Sequence, residues 1–234
     1  MLAALMERLI TRLTRDGRRT FFDPAQFAWT AELEAGFPAI RQELDRALLT
    51  RERIPNFQDI SADQAVLTQG EQWKTLLLHG YGRPVPENCA LCPRTDALVR
   101  RIPGMKTAMF SILAPGKHIP EHRGPYKGVL RYHLGLIVPE PVAASAIRVG
   151  PDTRQWAEGA SLVFDDSHPH EAWNGSGATR VVLFVDFLRP LPAWLSPLNR
   201  AMVWRLSTTP FISDTIALAR QAAQRWSGGA GPAR

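Results

Sequence analysis

Four short stretches carry the residues that could do chemistry. They are His122-Arg123-Gly124, Leu130-Arg131-Tyr132-His133-Leu134-Gly135, Phe164-Asp165-Asp166-Ser167-His168-Pro169-His170, and Thr179-Arg180-Val181-Val182-Leu183. Each sets a polar group in or beside a run that reads as a buried strand, and burying such a group costs free energy unless it gains a partner. His122 lies in a loop after a strand, and His170 stands 48 positions later (170 − 122) beside another. Imidazoles suit Fe, Zn, Cu or Ni. Side chains alternate across a strand, so Arg131 and His133 share one face while Leu130, Tyr132, Leu134 and Leu136 share the other. By the same rule Arg180, Val182, Phe184 and Asp186 share a face, and an arginine fork suits a bidentate carboxylate. The combination points to one site for a metal ion and a small dianion. The alternative is an ordinary β core with satisfied histidines and surface arginines.

The ligand set is incomplete by pattern. Non-haem iron oxygenases use two histidines and a carboxylate. Here the position two after His122 is Gly124, which has no side chain. Asp165 and Asp166 read as supporting or structural groups, with the option that one partly replaces the absent carboxylate. His168 is an alternative ligand, but the Asp-Asp-Ser-x-x-His-Glu framing favours His170. His118 and His122 have the i, i+4 spacing of a helical zinc motif, yet Pro120 between them argues against a helix. His79 has no partner that the sequence names.

The elements that must position these groups follow from periodicity. Strands are expected over Glu71–Leu78, Thr107–Leu113, Val129–Val138, Ala144–Val149, Arg154–Trp156, Ser161–Phe164 and Arg180–Leu188. The six after Gly104 suggest a jelly roll. Apolar stripes predict helices over residues 2–14 and 30–49, the second starting near Pro38 with proline in its first turn. Thr95 is the expected cap of a helix over Asp96–Ile102. Helices are also expected over Pro197–Leu206 and Ser213–Trp226, the latter with Ile216, Ala219, Ala223 and Trp226 on one side. Residues 50–70 read as irregular and 227–234 as a flexible tail.

At 234 residues with 45% hydrophobic and 21% charged residues, the chain can bury a core without staples. Its formal charge of +6 suits an acidic partner: a small anion, an anionic membrane surface or nucleic acid. The basic residues are scattered, with no basic-aromatic platform, so nucleic acid is not expected. Cys89 and Cys92 read as reduced structural cysteines near a turn rather than half a zinc knuckle or a redox pair. No run approaches the roughly 18 apolar residues of a membrane span, and no signal peptide is read. The expected setting is cytoplasmic, with possible peripheral contact at the inner face of the membrane.

Over residues 37–190 the chain resembles the aspartyl/asparaginyl β-hydroxylase family, a branch of the Fe(II)/2-oxoglutarate dioxygenases that includes bacterial lipid A hydroxylases. The resemblance rests on Phe110-Ser111-Ile112, His122-x-Gly124, Leu130-Arg131-x-His133-Leu134-Gly135-Leu136, Trp156-x-x-Gly159, Phe164-Asp165-Asp166-Ser167-x-x-His170-Glu171-x-Trp173 and Arg180-x-x-x-Phe184-Val185-Asp186. Any one piece is weak; the set in this order is specific. It implies a mainly β fold, a double-stranded β-helix (jelly roll) core with flanking α-helices at both ends. It implies iron on His122 and His170, the catalytic pair. The distal carboxylate of 2-oxoglutarate would lie on Arg180 and Ser111, and its iron-chelating end on Arg131 and His133. With dioxygen as second cosubstrate, the implied reaction is hydroxylation of an unactivated C–H coupled to decarboxylation to succinate. The animal β-hydroxylases are similar in having glycine at the missing ligand. The lipid A hydroxylases tend to carry a carboxylate there, but are similar around Ala90-Leu91-Cys92-Pro93-Arg94-Thr95.

The expected organisation is a lead-in with an amphipathic helix over 1–29, a dioxygenase domain over 30–190 with its jelly roll from about 105, and C-terminal helices and tail over 191–234. Two substrates fit: the acyl chain of an anionic lipid, and an aspartyl or asparaginyl residue of a peptide. The basic helix at 2–14 and the cations Lys117, Arg123 and Lys127 near the ligand loop favour the lipid; Gly124 favours the peptide. Rival readings are a non-catalytic cupin-like module binding a small acid, and a metal-dependent isomerase or hydrolase on the same fold.

Overall fold

A computed structural model describes residues 2–61, 66–68 and 70–228, and the side chains of all of these except 211 and 226–228. In chain order the elements are α1 (Leu2–Leu13), β1 (Phe21–Phe22), α2 (Trp29–Ala35), α3 (Phe37–Leu48), α4 (Phe57–Ile60), β2 (Trp73–Gly80), β3 (Arg83–Pro84), α5 (Pro86–Leu91), α6 (Pro93–Val99), β4 (Met105–Leu113), β5 (His118–His122), β6 (Val129–Ile137), β7 (Ser145–Val149), β8 (Asp152–Gln155), β9 (Ser161–Phe164), β10 (His170–Asn174), β11 (Arg180–Leu188), α7 (Ser196–Ser207) and α8 (Pro210–Gly228).

Among the described residues the strands form two antiparallel sheets. The larger has the order β1-β9-β6-β11-β4-β2-β3 and the smaller β5-β10-β7-β8. They face each other across one apolar layer. Leu77, Met109, Leu113, Val182, Phe184 and Phe164 of the large sheet meet Ile119, Ile147, Val149 and Ala172 of the small one. This is the expected jelly roll. The other face of the large sheet is covered by helices: Leu130, Tyr132, Leu134, Leu136, Val181, Leu183 and Val185 pack with Leu33, Ile40, Leu44, Cys92 and Val99. Covering both faces explains why β2 and β11 are buried almost throughout. It also confirms the alternation that turned Arg131 and His133 away from the helices.

Several local expectations change. The helix over 30–49 is two helices, because the chain breaks at Gly36 before Pro38 enters the first turn of α3. Thr95 is not a cap but a member of α6. Its N–H and Oγ1 and the Arg94 N–H all donate to the buried carboxylate of Glu43 on α3, which satisfies the helix start from outside. The segment taken as irregular holds α4, and α5 was not expected. Four strands were missed: the two-residue β1 and β3, and β5 and β10, which carry the two candidate metal ligands. The expected tail lies outside the described residues from 229 onward, as does the side chain of Trp226.

Candidate active site

His122 and His170 stand directly opposite each other in the β5–β10 ladder, with ring centroids 4.1 Å apart. His122 is therefore on a strand, not in a loop. The pairing slips between His170 and Ala172, which face His122 and Ile119. In a regular strand, residues 119 and 122 point to opposite faces. The extra residue forms a bulge that turns His122 toward the same interior as Ile119. Pro120 sits in this bulge on an edge strand, where its missing N–H costs the ladder nothing.

Both imidazoles are oriented by the backbone. His122 Nδ1 lies 2.8 Å from the Pro120 carbonyl and His170 Nδ1 3.0 Å from that of His168. A carbonyl oxygen only accepts, so each Nδ1 carries the proton and each Nε2 is left with a free lone pair, the arrangement of a metal ligand. His170 Nε2 is buried with no hydrogen-bond partner. Burial, then the Arg131 charge and His122, push His170 down to about 3, so it stays neutral. Burial also lowers His122.

Arg180 is 1% exposed, and its Nε and one Nη are buried without a partner. Its guanidinium lies over the Trp156 ring, 4.3 Å from the centroid. Burial alone pulls its pKa down to about 9. A buried cation left this way would gain from an anionic partner. Beside it, His133 has a buried, unpartnered Nε2, and its Nδ1 receives the Trp156 indole N–H at 3.3 Å. Burial, followed by the charges of Arg180 and Arg131, holds His133 well below its usual value. Ser111 lies across from Val182 on β4 and accepts from the Trp73 indole at 3.0 Å, leaving its O–H to donate.

Arg131 is placed differently from the other expected anion holders. Its fork meets Asp186 at 2.8 and 3.2 Å and Asp166 at 2.9 Å, and it stacks 4.1 Å from the Phe184 centroid. Its charge is already shared by two carboxylates. Asp166 is buried with one oxygen unpartnered. Burial outweighs Arg131, and with Asp186 and Asp165 pushes it up to about 7.

The absent carboxylate has a spatial explanation. The Gly124 N–H donates to the Asp166 carbonyl, and a Cβ built on Gly124 would overlap the Asp166 carboxylate. Asp166 fills the space that a side chain at 124 would need. Among the described residues, no third His, Cys, Asp or Glu joins His122 and His170 in a compact ligand cluster.

The remaining polar residues fall outside the cavity. His168 lies 3.3 Å from Lys127 and 3.8 Å from Asp165, in a buried network with Ser167 and Arg189. Lys127 is spent on Asp165 at 2.7 Å, Lys117 on the Leu67 carbonyl, and Arg123 on the Ser167 carbonyl. Lys117 and Lys127 are 6% exposed, so the expectation that they meet lipid head groups fails for these two, whereas Arg123 is exposed and bonds the fold through its Nε. His118 bonds Glu171 on the outside of the small sheet. His79 does have partners: Asp96 at 2.5 Å and Cys89 at 3.8 Å, with Arg100 gripping Asp96. That cluster brings three metal-type atoms together on the helix-covered side, away from the His122–His170 pair.

An apolar channel leads away from Arg131 and Asp166. It encloses ≈ 230 Å³ and runs between the sheet residues Leu77, Met109 and Phe184 and the helix residues Val203, Leu206, Ile212 and Ile216. The sequence predicted the helices α7 and α8 but gave no sign that they wall this channel.

Comparison with known proteins shows which chains this one is similar to. A profile described as aspartyl/asparaginyl beta-hydroxylase matches residues 34–190. The chain is 48% identical over 215 residues to an ornithine lipid ester-linked acyl 2-hydroxylase of Rhizobium tropici, covering 92% of this chain and 76% of that protein. It is 31% identical over 178 residues to the human aspartyl/asparaginyl beta-hydroxylase, covering 71% of this chain but only 23% of that protein. Among solved structures, a cupin 2 conserved barrel protein from Salinispora arenicola overlays at a TM-score of 0.34 with 11% identity, covering 60% of this chain and 92% of that one.

Proposed function

The chain belongs to the aspartyl/asparaginyl β-hydroxylase family, and from that premise we propose that it is an Fe(II)- and 2-oxoglutarate-dependent dioxygenase that hydroxylates an ester-linked acyl chain of a polar lipid, next to the ester carbonyl.

The residues fit the implied groups. His122 and His170 offer two preset Nε2 atoms for Fe(II). Arg180, with its unpartnered nitrogens, offers a buried cationic end for the distal carboxylate of 2-oxoglutarate, supported by Ser111 and stacked on Trp156. His133 Nε2 is the free polar atom beside Arg180 for the other end, whereas Arg131 would have to share its fork with Asp166 and Asp186. Bound iron, with 2-oxoglutarate and dioxygen, supplies the oxidant that an unactivated C–H requires. The protein's own part is placement. Backbone carbonyls fix both imidazole tautomers. The two-sheet core excludes water. Arg180 orients the dicarboxylate before any charge develops.

The observation that favours a lipid over a peptide is the channel. A hydroxylated aspartyl side chain is short and charged, and it gains little from a cavity walled mainly by Leu, Met, Phe, Val and Ile. An acyl chain buries its methylenes there, each worth about 0.8 kcal/mol. The 48% identity to the ornithine lipid enzyme supports the same choice.

The deciding experiment loads the protein with Fe(II) under anaerobic conditions. It then follows succinate formation with an ester-acylated amino-acid lipid and, separately, with an aspartyl peptide. The lipid should give succinate and a 2-hydroxyacyl product in equal amounts. Turnover of the peptide alone would replace this reading, and binding of 2-oxoglutarate without turnover of either would favour a non-catalytic module.

A further inference from the structure

Among the described residues, two neighbouring helices carry large exposed apolar side chains. α1 buries Met6 and Ile10 against Tyr126, Leu195, Met202 and Val203. Its apolar arc is wider than that contact. Leu2, Leu5 and Leu13 remain 58%, 52% and 56% exposed. On the outer side of α7, Leu198, Ala201 and Trp204 follow at spacings of three and are all exposed, as is Trp194 just before the helix. Single exposed leucines need no explanation, but a group of large apolar residues on two packed helices marks an interaction surface.

The surrounding charge selects the occupant. Residues 2–19 hold Arg8, Arg12, Arg15, Arg18 and Arg19 against Glu7 and Asp16. Arg8 and Arg12 are exposed on α1 and Arg15 just after it; Arg200 and Arg205 are exposed on α7. A second copy of a chain with formal charge +6 would bring the same cations together. An anionic bilayer surface would not: leucines and tryptophan enter the acyl boundary while arginines meet phosphates. The position of this face is also informative. Val203, Leu206 and Tyr126 line the channel, and the same three residues belong to the apolar cluster that holds Met6 and Ile10 of α1.

We propose that the outer face of α1 and α7 is a membrane-docking surface for anionic phospholipid, which sets the roof of the acyl channel at the bilayer. The inference rests on the acyl-lipid reading for the purpose of docking, and the test separates the two. Full-length protein is sedimented with vesicles of phosphatidylglycerol or of phosphatidylcholine. It should partition to the first and not the second, and added salt should release it because exposed charges are screened. Leu5→Glu/Leu13→Glu, both at exposed positions, should lower partitioning at least about tenfold, the effect of about 1.4 kcal/mol. Trp204→Glu should lower it independently, with circular dichroism unchanged in both. Turnover is measured in parallel on lipid dispersed in detergent, where the variants should match the parent, and on vesicles, where they should fall. Parent protein that ignores phosphatidylglycerol vesicles, or variants that bind them like the parent, would overturn the proposal; so would a salt-resistant dimer that these substitutions dissolve. Vesicle binding that depends on these residues without lipid turnover would support docking and break the acyl reading instead.

Discussion

Arg180 lies over the indole of Trp156 with its guanidinium carbon 4.3 Å from the ring centroid, and the two are among the largest fully buried side chains of the protein. The ring stabilises the charge without neutralising it, since a cation–π contact contributes about 2 kcal/mol when desolvated. The arginine is thus kept dry, with its Nε and one Nη unpartnered.

Arg180→Met should act in opposite directions on affinity and on stability. Truncating one partner of a buried charge pair costs about 2–5 kcal/mol. The Kd for 2-oxoglutarate should therefore rise by at least about tenfold. Without cosubstrate the variant should unfold at the same or a higher temperature than the parent, because an unpaired buried cation is removed. Calorimetric titration and thermal melts read the two effects. Unchanged affinity would remove Arg180 from the cosubstrate site.

His122→Ala or His170→Ala should each abolish retention of Fe(II) after anaerobic reconstitution and desalting. His168→Ala should retain it, because that imidazole faces Lys127 and Asp165 rather than the pair. Iron content decides the matter, and loss only in the His168 variant would reverse the ligand assignment.

Gly124→Ala should destabilise the protein by about 1–3 kcal/mol, the usual range for overpacking. Its Cβ meets the Asp166 carboxylate. Asp166→Gly opens that space while unpairing Arg131 on one side. In denaturant melts the double variant should therefore be less unstable than the sum of the singles. A purely additive cycle would mean that the two positions do not compete for one volume.

His133 gives a pH effect with a defined sign. In the folded, metal-free protein it stays neutral far below the ordinary histidine pKa of about 6.5. The unfolded chain takes up that proton below about 6.5, so stability falls as pH drops through that value, by up to about 1.4 kcal/mol per pH unit for one proton. Asp166, raised to about 7, slopes the other way: its proton is held by the folded form and released in the unfolded one between about 4 and 7. The clean measurement is the difference between the parent and His133→Gln. The variant should lose acid sensitivity between pH 6.5 and 5, and parallel profiles would contradict the assigned burial.

The sequence by itself determined the two faces of β6 and of β11, and the family. Period-two alternation is a local property, and it placed Leu130, Tyr132, Leu134 and Leu136 under the helices and Arg131 and His133 inside. It missed β5 because His118-Ile119-Pro120-Glu121-His122 has no apolar alternation. Only pairing with β10 makes that segment a strand, and only a bulge turns His122 inward. Which cations were free was also a tertiary matter. Arg131, Arg180, Lys117 and Lys127 look alike along the chain, yet three find partners contributed by distant segments and Arg180 has unpartnered nitrogens. The channel depends on where α7 and α8 pack, and their apolar stripes could have covered any face. Long-range contacts decide these points because charge pairing and cavity shape are properties of residues far apart in the chain, which local periodicity does not encode.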